Sequence, residues 1–403
     1  MKQHIVIAGS GFAGTWAALS AARAVALAGR TDTVDITVVS PEASLHIRPR
    51  LYESALHEMS PDLRALFQAV NVMHIAGTVE DVDADSRQIA VRTKAGQRQT
   101  MSYDRFVLAT GSQVVRPRLP GLAEYGFDVD QLASAKALDR HLCNLAKSPF
   151  APGRNTVVVI GAGFTGIETA AEMPRRLRQV LGIDARTRVV LIERNPTIAP
   201  DLGDGPRPHI QSALATCGVE VLTSTTVAEI DVGGVTLGDG SRISAATVIW
   251  TAGVRANMLA SGIGAEHDQF GRVPADRFLH ARGVRDIFVT GDVARAATDD
   301  VGNTTLMTCQ HALSLGRVAG HNAAAELVGL PLHPYSQPKY VTCLDLGEWG
   351  ALYTEGWDRQ VRLTGAEGKA LKQQINTEWI YPPKADREAV FAVANPDFVI
   401  VAA

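Results

Sequence analysis

Two stretches of one kind constrain this chain more than anything else in it: Ile5–Gly14, IVIAGSGFAG, and Val157–Gly166, VVVIGAGFTG. Each is a short apolar run rich in β-branched residues, then a glycine triplet, then an alanine-rich pattern of helical period. The run predicts a buried parallel strand. Gly9 and Gly161 permit the tight strand-to-helix turn. Gly11 and Gly163 let the backbone come up against a pyrophosphate, and Gly14 and Gly166 let helix pack closely on strand. Phe12 and Ala13 open the first helix, Phe164 and Thr165 the second, and the unpaired N–H groups and dipole at such helix starts suit phosphate. A single glycine triplet is also explained by a loop that turns without a ligand. Two full strand–turn–helix copies imply two dinucleotides, and a chain that holds two most often passes a hydride from one to the other.

At 403 residues the chain is too long for one ordinary core, so two or three domains are expected. Apolar content of 46% and charged content of 20% are those of a soluble globular protein. A net charge of −3 and the lack of an aromatic-interleaved basic patch argue against nucleic acid. The one basic cluster, Arg175, Arg176 and Arg178 with Arg186 and Arg188, is expected to be a solvated helix face, with membrane-surface contact the lesser reading. Cys143, Cys217, Cys309 and Cys343 form no closely spaced pair, so no local disulfide relay is expected and a reduced cytosolic compartment fits best. The eleven histidines lack metal-ligand spacing, and no metal site is expected. The first strand is expected to begin by Ile5 and no signal peptide is expected, and no apolar run approaches the ~20 residues of a spanning helix.

Along the chain, the first helix is predicted over Gly11–Ala28 and the second strand over Asp35–Val39. A dinucleotide fold ends that strand in an acid that holds the adenosine ribose. Here the position is Ser40, which can donate a hydrogen bond instead, and Glu42 follows within reach to fold back. The loop Leu45–Glu53 carries Arg48 and Arg50, each suited to neutralise cofactor phosphate or bind substrate and each equally explained as a surface charge beside a Pro turn. An antiparallel insertion is expected between Gly77 and Val107, closing with Ala109, Thr110 and Gly111, where bare backbone again approaches something. Pro174 should kink or end the second nucleotide helix. The strand Arg188–Glu193 does end in an acid, and Glu193 favours NADH by repelling a 2′-phosphate, while Arg194 keeps NADPH open. Ile287–Ala294 reads as a strand, the pair Gly291–Asp292, and a helix start, with Asp292 free to accept from sugar-alcohol hydroxyls. A helix is expected over Thr308–Val328, then a smaller α+β cap whose apolar tail, Val390–Val401, is expected to be a strand.

The order GSGFAG (9–14), ATGS (109–112), GAGFTGIETAAE (161–172), TAG (251–253) and TGD (290–292) resembles that of flavoproteins in the pyridine nucleotide-disulfide oxidoreductase superfamily. The absence of a cysteine pair excludes the disulfide-reducing branch. Closer similarity is to type II NADH dehydrogenases, through the Pro49–Tyr52 segment and through TCQHALSLG (308–316), in which Gln310 and Ala312 match a quinone-site helix pattern. Ser314 and Leu315 stand where that family has glutamines, Leu346 replaces the lysine of its Asp-Lys-Gly turn, and its C-terminal membrane helices are not evident. The resemblance implies an α/β fold with two Rossmann-like domains, a split FAD domain and an inserted NAD domain, plus a small C-terminal α+β domain. The expected division is 1–118 and 254–330 for FAD, 119–253 for NAD(P)H and 331–403 for the cap. By the same resemblance the first loop and Asp292 would bind FAD and the second loop NAD(P)H. Glu168 would orient or handle protons near the nicotinamide and flavin, and Gln310 would bond a quinone carbonyl or the flavin rim. The expected activity is hydride transfer from NADH to FAD, then two electrons to a quinone-type acceptor. The alternatives are a soluble reductase of a small electron carrier or xenobiotic, and a non-catalytic redox-sensing flavoprotein. A cytoplasmic protein with at most weak peripheral membrane contact is expected, and a homodimer stays open.

Overall fold

The computed structural model describes residues 2–149 and 151–399. A seven-stranded sheet has the order Ile287–Val289, Arg105–Leu108, Gln3–Ala8, Val34–Ser40, Val72–Asp83, Gln88–Thr93, Arg98–Ser102. The first five strands are parallel, and the last two extend the sheet antiparallel. Ile5, Val6, Ile7 and Ala8 are all fully buried, as an unbroken apolar run in a sheet covered on both faces requires. The second sheet is parallel throughout, in the order Val219–Leu222, Arg188–Ile192, Thr156–Ile160, Thr247–Trp250, Gly126–Phe127. In both sheets the strand that feeds a glycine triplet has its successors on opposite sides, which opens a crevice beyond the strand ends where ligands bind in such folds. A three-stranded antiparallel sheet, Val341–Asp345, Ala351–Glu355 and Gln360–Leu363, forms the cap with the helix Gly365–Gln374.

The first nucleotide helix, Phe12–Leu27, packs on the long helix Cys309–Val328 through small residues. A Cβ added at Gly316 would lie 2.4 Å from the Ala13 carbonyl oxygen, and one at Gly320 would lie 2.0 Å from that of Ala17. The axes come this close only because glycine faces backbone at both positions. Arg317, between them, is buried with its guanidinium 3.7 Å from the Trp16 ring centroid and donates from Nε to the Val393 carbonyl at 2.7 Å.

Four expectations need correction. The second nucleotide helix, Phe164–Leu181, does not end at Pro174. Its face from Gly166 to Leu177 is buried, and that packing outweighs the ~3 kcal/mol a helix-interior proline costs. No helix starts at Gly291–Asp292. That pair makes one 3₁₀ turn, Gly291–Val293, and the chain continues as the short strand Ala294–Arg295. The tail is a helix, Arg387–Val393, where a strand was expected, because the Asp386 carboxylate caps it by accepting from the Ala389 N–H at 2.9 Å; the end of the expected strand lies outside the described residues. The basic cluster is a solvated face only in part: Arg186 and Arg188 are exposed, Arg175 and Arg178 are half-buried, and the charges are largely paired. Arg176 is buried and paired with Asp139 at 2.7 Å, Arg178 with Glu348 at 2.6 Å, Arg188 with Glu220 at 2.7 Å, and Arg175 with Glu172.

Candidate functional site

At the first glycine triplet each glycine meets a different demand. Gly9 has φ +107°, and a Cβ there would lie 2.5 Å from the Ala109 carbonyl oxygen. A Cβ on Gly14 would lie 1.9 Å from the Gly9 carbonyl oxygen, so strand and helix touch there. At Gly11 a Cβ would meet nothing within 4 Å, and no side chain caps the helix that starts at Phe12. The open face with its uncapped N–H groups is therefore a cradle for an anion. The second triplet repeats the pattern. Gly161 has φ +106°, a Cβ on Gly166 would lie 1.7 Å from the Gly161 carbonyl oxygen, Gly163 faces open space, and the helix from Phe164 and Thr165 also lacks a side-chain cap.

The structure gathers most of the other expected residues around these cradles. Ala13 lies against Gly291, where an added Cβ would be 2.7 Å from its own Cβ. The turn that carries Asp292 is thereby set beside the first helix. Asp292 is not free: Oδ2 accepts from Ser112 Oγ at 2.6 Å and from Arg48 at 3.5 Å. Arg48 also donates to Ser112 Oγ at 3.2 Å and to the Asp130 carbonyl at 3.1 Å, and it pairs with the Asp130 carboxylate. Gly111, at φ +68°, leaves room for that guanidinium, which a Cβ there would meet at 3.9 Å. The hydroxyls of Thr110 and Thr290 are buried without a hydrogen-bond partner, one on each strand end beside the cradle. Buried unpaired hydroxyls are rare and fit a polar ligand lying across both strand ends. Ser40 donates to the Glu42 carbonyl at 2.7 Å, and the Glu42 side chain is exposed and does not fold back.

At the second cradle Glu193 is buried. One oxygen accepts from the Ala162 N–H at 2.8 Å, the other from the N–H and side-chain amide of Asn195 at 2.8 and 2.7 Å. The carboxylate thus ends its strand against the phosphate loop, while Arg194 is exposed.

Glu168 and Gln310 are not neighbours. They hold opposite ends of one cap strand: Gln310 Oε1 accepts from the Val341 N–H at 3.4 Å, and Glu168 Oε1 from the Asp345 N–H at 3.0 Å. Three residues of strand lie between the two anchors, a span of roughly 13 Å. Sequence reasoning missed Lys372. Its Nζ donates to Glu168 Oε1 at 2.8 Å and to the Cys343 carbonyl, in the middle of that strand, also at 2.8 Å. Both members of the pair are buried. Burial raises the Glu168 carboxyl to about 7, against the pull of Lys372. Burial, the largest single influence, would lower Lys372, but Glu168, Cys343 and Asp345 together outweigh it and raise the ammonium above its ordinary value. Nearby, Lys369 pairs with Asp345 at 2.7 Å, and burial pushes the Cys309 thiol up to about 11, with Lys372, Asp292 and Glu168 all in electrostatic reach. A helix signal around Lys369 was readable, but nothing in a lone lysine's sequence context tells that it will be buried. Among the described residues no cluster could hold a metal ion.

Fold and site together define an α/β oxidoreductase with two dinucleotide cradles and a cap closing over a buried carboxylate. Residues 3–316 match the pyridine nucleotide-disulphide oxidoreductase family, and the chain belongs to it. It is 46% identical over 397 residues to an NADH dehydrogenase-like protein of Mycobacterium tuberculosis, covering 98% of each chain. It is 29% identical over 364 residues to a demethylphylloquinone reductase of Synechocystis, covering 88% of this chain and 86% of that protein. The fold matches NDH2 of Plasmodium falciparum in complex with NADH with a TM-score of 0.80, over 98% of this chain and 97% of that one, at 13% identity.

Proposed function

We propose that the chain is an FAD-dependent NADH dehydrogenase that delivers electrons to a quinone-type acceptor. The observation that carries this reading is the buried Glu168–Lys372 pair, set on the second nucleotide helix and closed by the cap strand that Gln310 holds at its other end. The first cradle, with Phe12, Ala13, Ala109, Thr110, Gly111, Arg48, Gly291 and Asp292, would hold FAD in the two-part domain 1–118 and 254–330. The second, with Phe164, Thr165 and Glu193, would hold NADH in 119–253. When bound, the flavin supplies the hydride and electron transfer itself. Reducing a quinone takes two electrons and two protons, whereas a hydride brings two electrons and one proton. A carboxyl with a pKa of about 7 can hold the second proton at neutral pH, which is the role we give Glu168. Lys372 fixes the Glu168 rotamer and keeps its proton exchangeable. Gln310 is suited to bond the acceptor's carbonyl from the first turn of its helix. Quinone-reducing relatives support this acceptor class. Among the described residues no helix is long and apolar enough to cross a membrane, in keeping with at most peripheral contact.

The test is to reduce the purified protein anaerobically with NADH and mix it with ubiquinone, menaquinone, ferredoxin or oxygen. Quinone is expected to reoxidise it fastest. Faster oxidation by ferredoxin would assign it to small electron carriers. No acceptor outpacing oxygen would make it a sensing flavoprotein.

A further inference from the structure

The two nucleotide cradles differ at the strand end where a dinucleotide fold holds the adenosine ribose. At the second cradle Glu193 is 6% exposed and accepts from the N–H of Ala162, the middle residue of its triplet turn. At the first, the matching strand Val34–Ser40 ends in Ser40, 3% exposed, and no carboxylate takes that place. Ser40 Oγ lies 2.7 Å from the Glu42 carbonyl and 2.9 Å from His74 Nε2 on the adjacent strand. A hydroxyl has one proton, and the carbonyl can only accept it. His74 must therefore carry its proton on Nε2 and donate to Ser40. One Ser40 lone pair remains. The Glu42 carbonyl is taken by Ser40, and the Ser10 hydroxyl shares its one proton between the Ser44 carbonyl at 2.9 Å and that of Glu42 at 3.2 Å. These bonds pin the loop after the strand against the phosphate turn, where the Gly9 N–H donates to the Val39 carbonyl at 2.8 Å. Burial holds His74 below the ordinary imidazole value, so the pair is neutral.

We propose that the first cradle receives the adenosine 2′-hydroxyl on Ser40 Oγ, a single neutral acceptor oriented by His74, in place of the carboxylate used at the second cradle. The two sites of one chain are then told apart by charge as well as by shape. The proposal rests on the reading that FAD occupies the first cradle. A neutral acceptor has a distinct energetic signature. Its bond to a ribose hydroxyl is of the neutral–neutral kind, roughly half as strong as one to a carboxylate. Losing it should weaken binding about 3- to 10-fold, not by orders of magnitude.

The experiment strips the flavin and titrates the apoprotein with FAD and with an FAD analogue lacking the adenosine 2′-hydroxyl, following flavin fluorescence. Wild type should bind the analogue about 3- to 10-fold more weakly than FAD. Ser40→Ala should weaken FAD by a similar factor but no longer distinguish the two flavins, and Ser40→Thr should restore the distinction. His74→Phe, which removes the orienting donor, should narrow it. If Ser40→Ala weakens both flavins equally, Ser40 only braces its loop and the proposal is overturned. Equal binding of both flavins by wild type overturns it without recourse to any variant. If wild type takes up neither flavin, the FAD reading itself fails, a result distinct from both.

Discussion

Replacing Lys372 by methionine isolates what a buried cation does for Glu168. In the native pair Nζ lies 2.8 Å from Glu168 Oε1, and both side chains are at most 6% exposed. Methionine keeps the length of the side chain and loses the charge. At about 4 Å between charge centres and an effective dielectric near 20, the lost attraction is about 4 kcal/mol. At 1.36 kcal/mol per unit that corresponds to at most roughly 3 pKa units, of which relaxation of the site and of nearby water around the unpaired carboxylate takes back part. Glu168, already raised to about 7 by burial, should therefore move to ~9, within the range known for buried glutamates. The assay is single-turnover reoxidation of NADH-reduced protein by a short-chain quinone across pH. If the protonated carboxyl supplies the second proton, the wild-type rate should fall as pH rises through about 7. In Lys372→Met the fall should shift upward by about two units, and in Glu168→Gln it should vanish with a low, flat rate. The variant should also be less stable at neutral pH. Breaking a buried pair costs 3–5 kcal/mol when the partner stays charged, and protonation of Glu168 relieves part of that. A Lys372→Met profile with an unchanged midpoint would refute the assignment of Glu168 as the titrating group.

Gln310→Leu should slow reoxidation by quinone about five- to a hundredfold, the cost of one unmatched polar partner, and leave flavin reduction by NADH nearly unchanged. Stopped-flow traces of the two half-reactions check this, and equal slowing of both would place Gln310 on the flavin instead. Glu193→Ala should raise the NADPH/NADH ratio of kcat/KM by about tenfold or more, since a charge-assisted ribose contact goes and the repulsion of a 2′-phosphate with it; steady-state kinetics with both nucleotides decide it. Gly320→Val should lower the melting temperature sharply and release flavin, because its Cβ would sit 2.0 Å from the Ala17 carbonyl oxygen and must drive the two helices apart. Thermal melts with and without added FAD measure it.

What could be read from the sequence and what could not divides along a physical line. The strands feeding both triplets, the helix Phe12–Leu27 and the antiparallel extension were legible because each follows from local chemistry: an apolar run, a glycine at positive φ, a period of two. The tail helix was misread although its cap was in plain sight, since Asp386 precedes Arg387–Val393 and apolar composition alone does not separate a short strand from a short helix. Pro174 shows the reverse case. The local rule was sound, and tertiary burial overrode it.

The site divides in the same way. The cradles were legible because backbone makes them, and backbone demands glycine in a recognisable order. The groups around Glu168 were not, because their meaning lies in which distant charges meet: Lys372 is 204 residues away in sequence, and Arg48 reaches Asp292 across 244. A carboxylate on a helix reads alike whether it faces water or a buried ammonium. Only burial gives the difference a consequence, since the carboxyl raised to about 7 inside would have stayed near 4.5 outside. Leu346, standing where the resemblance has a lysine, now has a physical context. Asp345 next to it takes its cation from Lys369 and Glu168 from Lys372, both on the cap helix Gly365–Gln374. Positive charge is thus supplied to this corner from another element, and a lysine at 346 is not needed to neutralise it. The departure that weakened the motif match leaves the electrostatics of the corner intact.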